Sequence, residues 1–236
     1  MSEETTSLIE KIKQAAASGT TEHLVNILKA GLATAPFCGG IASLMSDYIP
    51  ASKFQRLEQF AKKIAEDLNK LQDQVDEAKI QTDEFAFLFE NCFRGVAENY
   101  QKDKLEAFRG ILINSAIGVN LSEDEKEYFL NLVNTLSVLH VRILKFMAKP
   151  IEYLNENQIP VESIRGGFSQ FFPVAIPGVD VGVIESAFGD LYSYGFVSTD
   201  KKIFHTMTSG QGLELLGNRV TQLGASFINF CTAPIE

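Results

Sequence analysis

The clearest alternation of apolar and polar positions along this chain runs from Phe54 to Ala78. Phe54, Leu57, Ala61, Ile64, Leu68, Leu71, Val75 and Ala78 recur at alternating steps of three and four residues. Lys53, Arg56, Glu58, Lys62, Lys63, Glu66, Asp67, Lys70, Asp73, Asp76, Glu77 and Lys79 occupy the positions between them. A helix with one apolar stripe and an otherwise solvated surface requires this arrangement, and the spacing is that of an a/d seam. The pattern predicts one uninterrupted, coiled-coil-like helix over 52–80 with its stripe buried. It also marks Phe54, Leu57, Ile64, Leu68, Leu71 and Val75 as the positions through which the chain meets a partner.

Weaker periodicity surrounds that block. Residues 6–29 read as helical, with Leu8, Ile9, Ile12, Ala15 and Ala16 on one face, a break at Ser18–Thr21, and Leu24, Val25, Ile27 and Leu28 beyond it. Thr82 is placed to cap a helix carrying Phe85, Leu88, Phe89, Cys92, Phe93 and Val96, because a threonine hydroxyl satisfies a first-turn amide. A helix over 101–117 presents Leu105, Phe108, Ile111 and Leu112. Ser122 and Glu125 have the spacing of a capping box. After them Tyr128, Phe129, Leu132, Val133, Leu136, His140, Ile143, Leu144 and Met147 continue at helical spacing until Pro150. Residues 1–149 are therefore expected to form a helical bundle.

From Pro150 to Pro177 the helical pattern weakens, and Pro150, Pro160, Pro173, Pro177, Gly166 and Gly167 mark a domain joint. Beyond it, Asp180 can cap a helix bearing Val183, Ile184, Ala187, Phe188, Leu191 and Tyr192, with Gly195 placed to end it. "FVS" and "KIFHTM" read as short strands, "TSGQG" as a loop and "NRV" as a returning strand. Thr221 then caps a last helix containing Leu223, Phe227, Ile228 and Cys231. The order Leu-x-x-x-Gly-Phe-Val, hairpin, Val-Thr-x-Leu-Gly-x-x-Phe-Ile resembles the C-terminal half of winged-helix domains in bacterial regulators and defence-associated proteins. The resemblance covers about sixty residues. It implies a small α+β module, which together with the Pro/Gly-rich joint makes up 150–236, and carries no activity with it. The expected fold is mostly α: a bundle followed by this module.

Composition narrows the function. A 236-residue chain buries roughly 70% of its unfolded surface, enough for a core without disulfide or metal. Apolar residues make up 45% and charged residues 22%, as in ordinary globular proteins. The net charge of -9 opposes phosphate backbones and anionic membrane surfaces. The helix over 180–194, which would be the recognition helix, contains no Lys or Arg, so a DNA-reading role ranks third and nucleic acid is not expected as a partner. Cys38, Cys92 and Cys231 are widely separated and lack metal or redox spacing, which fits a reducing cytosol. The N-terminal "MSEETTSLIEKIKQ" lacks the charged and apolar regions of a signal peptide, so a cytoplasmic location is expected.

Chemistry-bearing motifs are sparse. His23, His140 and His205 share no ligand spacing with each other or with the cysteines, and His140, on an apolar face, reads as a hydrogen-bonded core histidine. The acidic residues lie on polar helix faces. "SGQG" at 209–212 lacks the lysine of a phosphate loop, and "FCGG" at 37–40 fits no dinucleotide fingerprint. No catalytic residue, cofactor or metal is expected. The uncharged run from Ala30 to Ser46 would span about 25 Å as a helix, short of a bilayer core of about 30 Å. Pro36, Gly39 and Gly40 also interrupt it. Pro36, Phe37, Gly39 and Gly40 are read as a buried elbow, with release of residues 24–49 into a membrane on activation as the alternative. The expectation is a non-enzymatic, oligomeric interaction protein that binds a protein partner or itself.

Overall fold

The computed structural model describes residues 51–206, 213, 216 and 218–235. The expected helix over 6–29, the elbow at Pro36, Phe37, Gly39 and Gly40, the membrane alternative over 24–49 and the "SGQG" loop lie outside these residues. The chain divides into two compact units. One is Met1–Asn134 together with Phe230–Glu236, and the other is Thr135–Asn229.

The described part of the first unit is helical: α1 (Ala51–Lys70), α2 (Glu77–Ile80), α3 (Asp83–Glu98), α4 (Lys102–Ala116) and α5 (Glu123–Thr135). The caps read from sequence are present. Thr82 Oγ1 accepts the Phe85 amide at 3.1 Å, and Ser122 and Glu125 bond reciprocally, at 2.8 and 3.3 Å. α1 packs on α3 and α4, and α3 on α4. Phe60, Ile64 and Leu68 from α1 are buried, as are Leu88, Cys92 and Val96 from α3 and Phe108, Ile111 and Leu112 from α4. At Gly95 a side chain would lie 2.3 Å from the Phe108 ring, so the α3–α4 crossing depends on glycine there.

The uninterrupted helix expected over 52–80 is not formed. α1 stops at Lys70, turns follow, and the chain resumes as α2. The restart is fixed by Asp76, whose carboxylate accepts the Ala78 amide at 3.0 Å and whose own N–H donates to the Ala116 carbonyl at 2.9 Å. An aspartate is a poor interior helix residue and a good cap. Pairing with the end of α4 draws this one out of the helical ladder.

The second unit contains α6 (Val138–Ala148), α7 (Pro150–Glu156), α8 (Phe168–Ala175), α9 (Val181–Ser193) and most of α10 (Gln222–Phe230), with 3-10 turns at Val161–Ser163 and Lys201–His205. The periodic run from Tyr128 to Met147 is thus two helices, broken before Ser137. Pro150, expected to stop the preceding helix, also begins α7, because a proline at the first helical position sacrifices an N–H that has no partner there anyway. Asp180 caps α9 through the Gly182 amide at 2.8 Å. Gly195 follows with φ +76, a left-handed conformation that favours glycine. Thr221 Oγ1 accepts the Gly224 amide at 3.1 Å at the start of α10. The core is aromatic: Phe204 packs on Phe168, Phe172 and Phe188 at centroid distances of 5.6, 5.2 and 5.4 Å.

The α+β winged-helix module expected within 150–236, after the joint, is not observed. Among the described residues there is no strand, only an isolated antiparallel bridge between Val197 and Val220. Of the strand expected at "KIFHTM", residues 202–205 lie in a 3-10 turn. Asp200 starts it by accepting the Lys202 amide at 2.9 Å. The adjacent residues Ile203 and Phe204 are both buried. A strand sends consecutive side chains to opposite faces, so burying both favours a tight turn.

Candidate functional site

Of the six positions marked on the apolar stripe, Ile64, Leu68 and Leu71 are buried within the first unit. Leu57 is half-buried, Val75 is half-buried in the segment between α1 and α2, and Phe54 lies in α1. The buried three are consumed by packing inside the unit. Asp67, read as a polar-face residue, is also buried and carries a charged network. Arg109 pairs through Nε and Nη2 with both Asp67 oxygens, the second bond at 2.9 Å, and Arg109 Nη1 donates to Glu106 at 2.7 Å. Lys63 reaches the other Glu106 oxygen at 2.5 Å. Hydrogen bonding to Asp67 raises the Arg109 guanidinium above its ordinary value. Burial pushes the Glu106 carboxyl up, but the bonds from Lys63 and Arg109 outweigh it and hold the group below its usual range.

The first unit presents a cleft of about 390 Å³ lined by Asn91, Arg94, Gly95, Glu98, Asn99 and Asn134. It forms where α3 and α5 come to their C-terminal ends. Each end exposes carbonyl groups without intrahelical donors and carries partial negative charge. Two long cations answer them. Arg56 of α1 donates from Nε to Val96 O at 3.0 Å and from Nη2 to Ala97 O at 3.1 Å. Lys104 of α4 donates to Asn134 O at 3.1 Å, and burial lowers its ammonium below the ordinary lysine value.

The three asparagines are braced alike. Nδ2 of Asn91 donates to Phe87 O at 2.9 Å, that of Asn99 to Gly95 O at 2.8 Å and that of Asn134 to Leu130 O at 3.2 Å. Each amide nitrogen has a second N–H, and each side chain also has a carbonyl oxygen. Asn91 gives part of its acceptor capacity to Arg94 at 3.4 Å, and Arg94 also pairs with Glu90 at 2.8 Å. The cleft therefore holds anchored groups that can both donate and accept, with Arg94 and Glu98 supplying opposite charges. Sequence reasoning passed over these residues. Their only signal was Asn91 at an interior helical position, where its propensity is poor and a reason for its presence is worth seeking, and Asn99 and Asn134 at or near helix ends.

Among the described residues no helix is long and apolar enough to cross a membrane, and no group of three His, Cys, Asp or Glu side chains could hold a metal ion. Comparison of the chain with protein-family models, with characterised proteins and with solved structures finds no match.

Proposed function

We propose that this chain is a protein-interaction protein, and that its first unit receives an extended peptide segment of a partner in the α3–α5 cleft. The observation carrying this reading is the convergence of Asn91, Asn99 and Asn134 on one cleft. A peptide group offers one donor and one acceptor, and a carboxamide is its complement. Bracing each amide against a helix carbonyl one turn back reduces the side-chain entropy lost on binding. The buried stripe of α1 serves in this account as the support that positions α3, not as the contact surface. Cys92 and Cys231 are buried as thiols and not joined in a disulfide, which suits a reducing cytosol as the place of work.

The test is peptide selection on the full chain, followed by affinity measurement with Asn91→Leu and Asn134→Leu variants. Loss of a hydrogen-bonding pair of about 1 kcal/mol corresponds to roughly fivefold in affinity. Each substitution should therefore weaken selected peptides by at least about that factor, and the two together by more. Peptides that bind both variants as tightly as the parent chain would refute the assignment.

A further inference from the structure

In the second unit, Ser137 immediately precedes α6 and His140 lies in its first turn, while Asp190 projects from α9, which packs on α6. The backbone N–H of Ser137 lies 3.1 Å from His140 Nδ1. A backbone amide can only donate, so Nδ1 must offer its lone pair and the neutral ring carries its proton on Nε2. That proton points to Asp190 Oδ2, at 3.1 Å. Ser137 Oγ lies 2.7 Å from Nδ1 and donates to the same lone pair. The polarity of the chain thus runs from carboxylate to imidazole N–H, then from imidazole lone pair to serine O–H. This is the order that activates a serine nucleophile. The His140 side chain is only 14% exposed and is held on both sides, whereas Ser137 is open to solvent. Beside Ser137, the first-turn amides of Val138 and Leu139 sit where a helix leaves N–H groups without intrahelical partners, at its positive end.

We infer that Ser137, His140 and Asp190 form an acyl-transfer site for small activated esters. This goes beyond the peptide-cleft reading and does not depend on it. Ser137 Oγ forms a bond to the ester carbonyl carbon as its proton passes to His140 Nδ1, and the oxyanion faces the amides at the start of α6. The carbon–oxygen bond to the alcohol then breaks, and the leaving oxygen takes the proton from Nδ1. Water repeats the sequence on the acyl-serine, releasing the carboxylic acid and restoring the hydroxyl. His140 is the general base and Asp190 a positioning residue that orients the ring. The openness around Ser137 suits a short acyl group on a good leaving group rather than a substrate that requires an enclosing pocket.

The probe is p-nitrophenyl acetate, with the modified residue located by peptide mass mapping of the full chain. The parent chain should release nitrophenolate in a burst and carry its acetyl group on Ser137. Ser137 and His140 form a capping box in which histidine stands where Glu or Gln is usual. His140→Gln therefore keeps the cap while removing the base. It should retain the unfolding midpoint of the parent chain and acylate about a hundredfold more slowly or worse. Asp190→Asn should also slow acylation, and Asp190→Glu should restore part of the rate. Failure to find acetyl on Ser137 in the parent chain, or acylation of His140→Gln at the parental rate, would overturn the inference.

Discussion

Gly110 lies inside α4, where exchange for alanine would ordinarily stabilise a helix by about 0.5–1 kcal/mol. Here a Cβ would stand 2.2 Å from the Cys231 carbonyl carbon, 2.3 Å from its oxygen and 2.6 Å from the Thr232 nitrogen. These are backbone atoms, and carbon contacts normally settle at about 3.5–4 Å, so the tail beyond α10 must withdraw. That tail is held by the buried Asn114, whose Nδ2 donates to Phe230 O and Thr232 O, both at 2.9 Å, on either side of Cys231. Withdrawal sacrifices two bonds of about 1 kcal/mol each and adds overpacking of about 1–3 kcal/mol. After the helical gain, Gly110→Ala should destabilise the chain by about 2–4 kcal/mol. In a protein of this size that lowers the melting temperature by roughly 5–15 °C. Urea and thermal unfolding followed by circular dichroism measure it. Gly189→Ala serves as the control. Its Cβ would meet only the flexible Lys201 side chain, at 3.1 Å, so its stability should be unchanged or slightly raised. On the Gly110→Ala background, Asn114→Ala should add little, because the bonds it removes are already broken. Parental stability in Gly110→Ala, or full additivity of the two changes, would refute the packing of the tail on α4.

Arg109→Met leaves the buried Asp67 carboxylate without its paired cation, and should cost about 3–5 kcal/mol in urea unfolding. The Glu106 carboxyl titrates below its ordinary value in the folded chain. Its contribution to stability is therefore present above the unfolded pKa, near 4.5, and is lost as pH falls through the lower folded value. Urea midpoints measured from about pH 6 down to about pH 3 should fall, and less steeply in Glu106→Gln. Burial, and secondarily the neighbouring Cys231, push the Cys92 thiol well above its usual range. Iodoacetamide should accordingly leave Cys92 unmodified in the folded chain and alkylate it fully in denaturant, as read by mass mapping.

Local signals carried far in this chain. The caps at Thr82, Ser122, Asp180 and Thr221, and the glycine stop at Gly195, were legible because a cap depends on residues within three or four positions of it, and that is what a one-dimensional pattern contains. The apolar faces of α3 and α4 followed from helical spacing in the same way. The length of α1 was not legible, since the a/d spacing continues through Val75 and Ala78. What sets the start of the separate helix α2 is the Asp76 amide bonded to Ala116, forty positions along the sequence. The strand expected at "KIFHTM" failed for a related reason: a cluster of Phe168, Phe172 and Phe188 from two other helices packs on Phe204, next to the equally buried Ile203. Asn91 and Asn134 line one cleft from α3 and α5, and His140 meets Asp190 fifty residues later at 3.1 Å. Helical periodicity specifies a face but not its neighbour. Which polar groups share a cleft, and which serine, histidine and carboxylate fall into one line, are settled only when the helices pack.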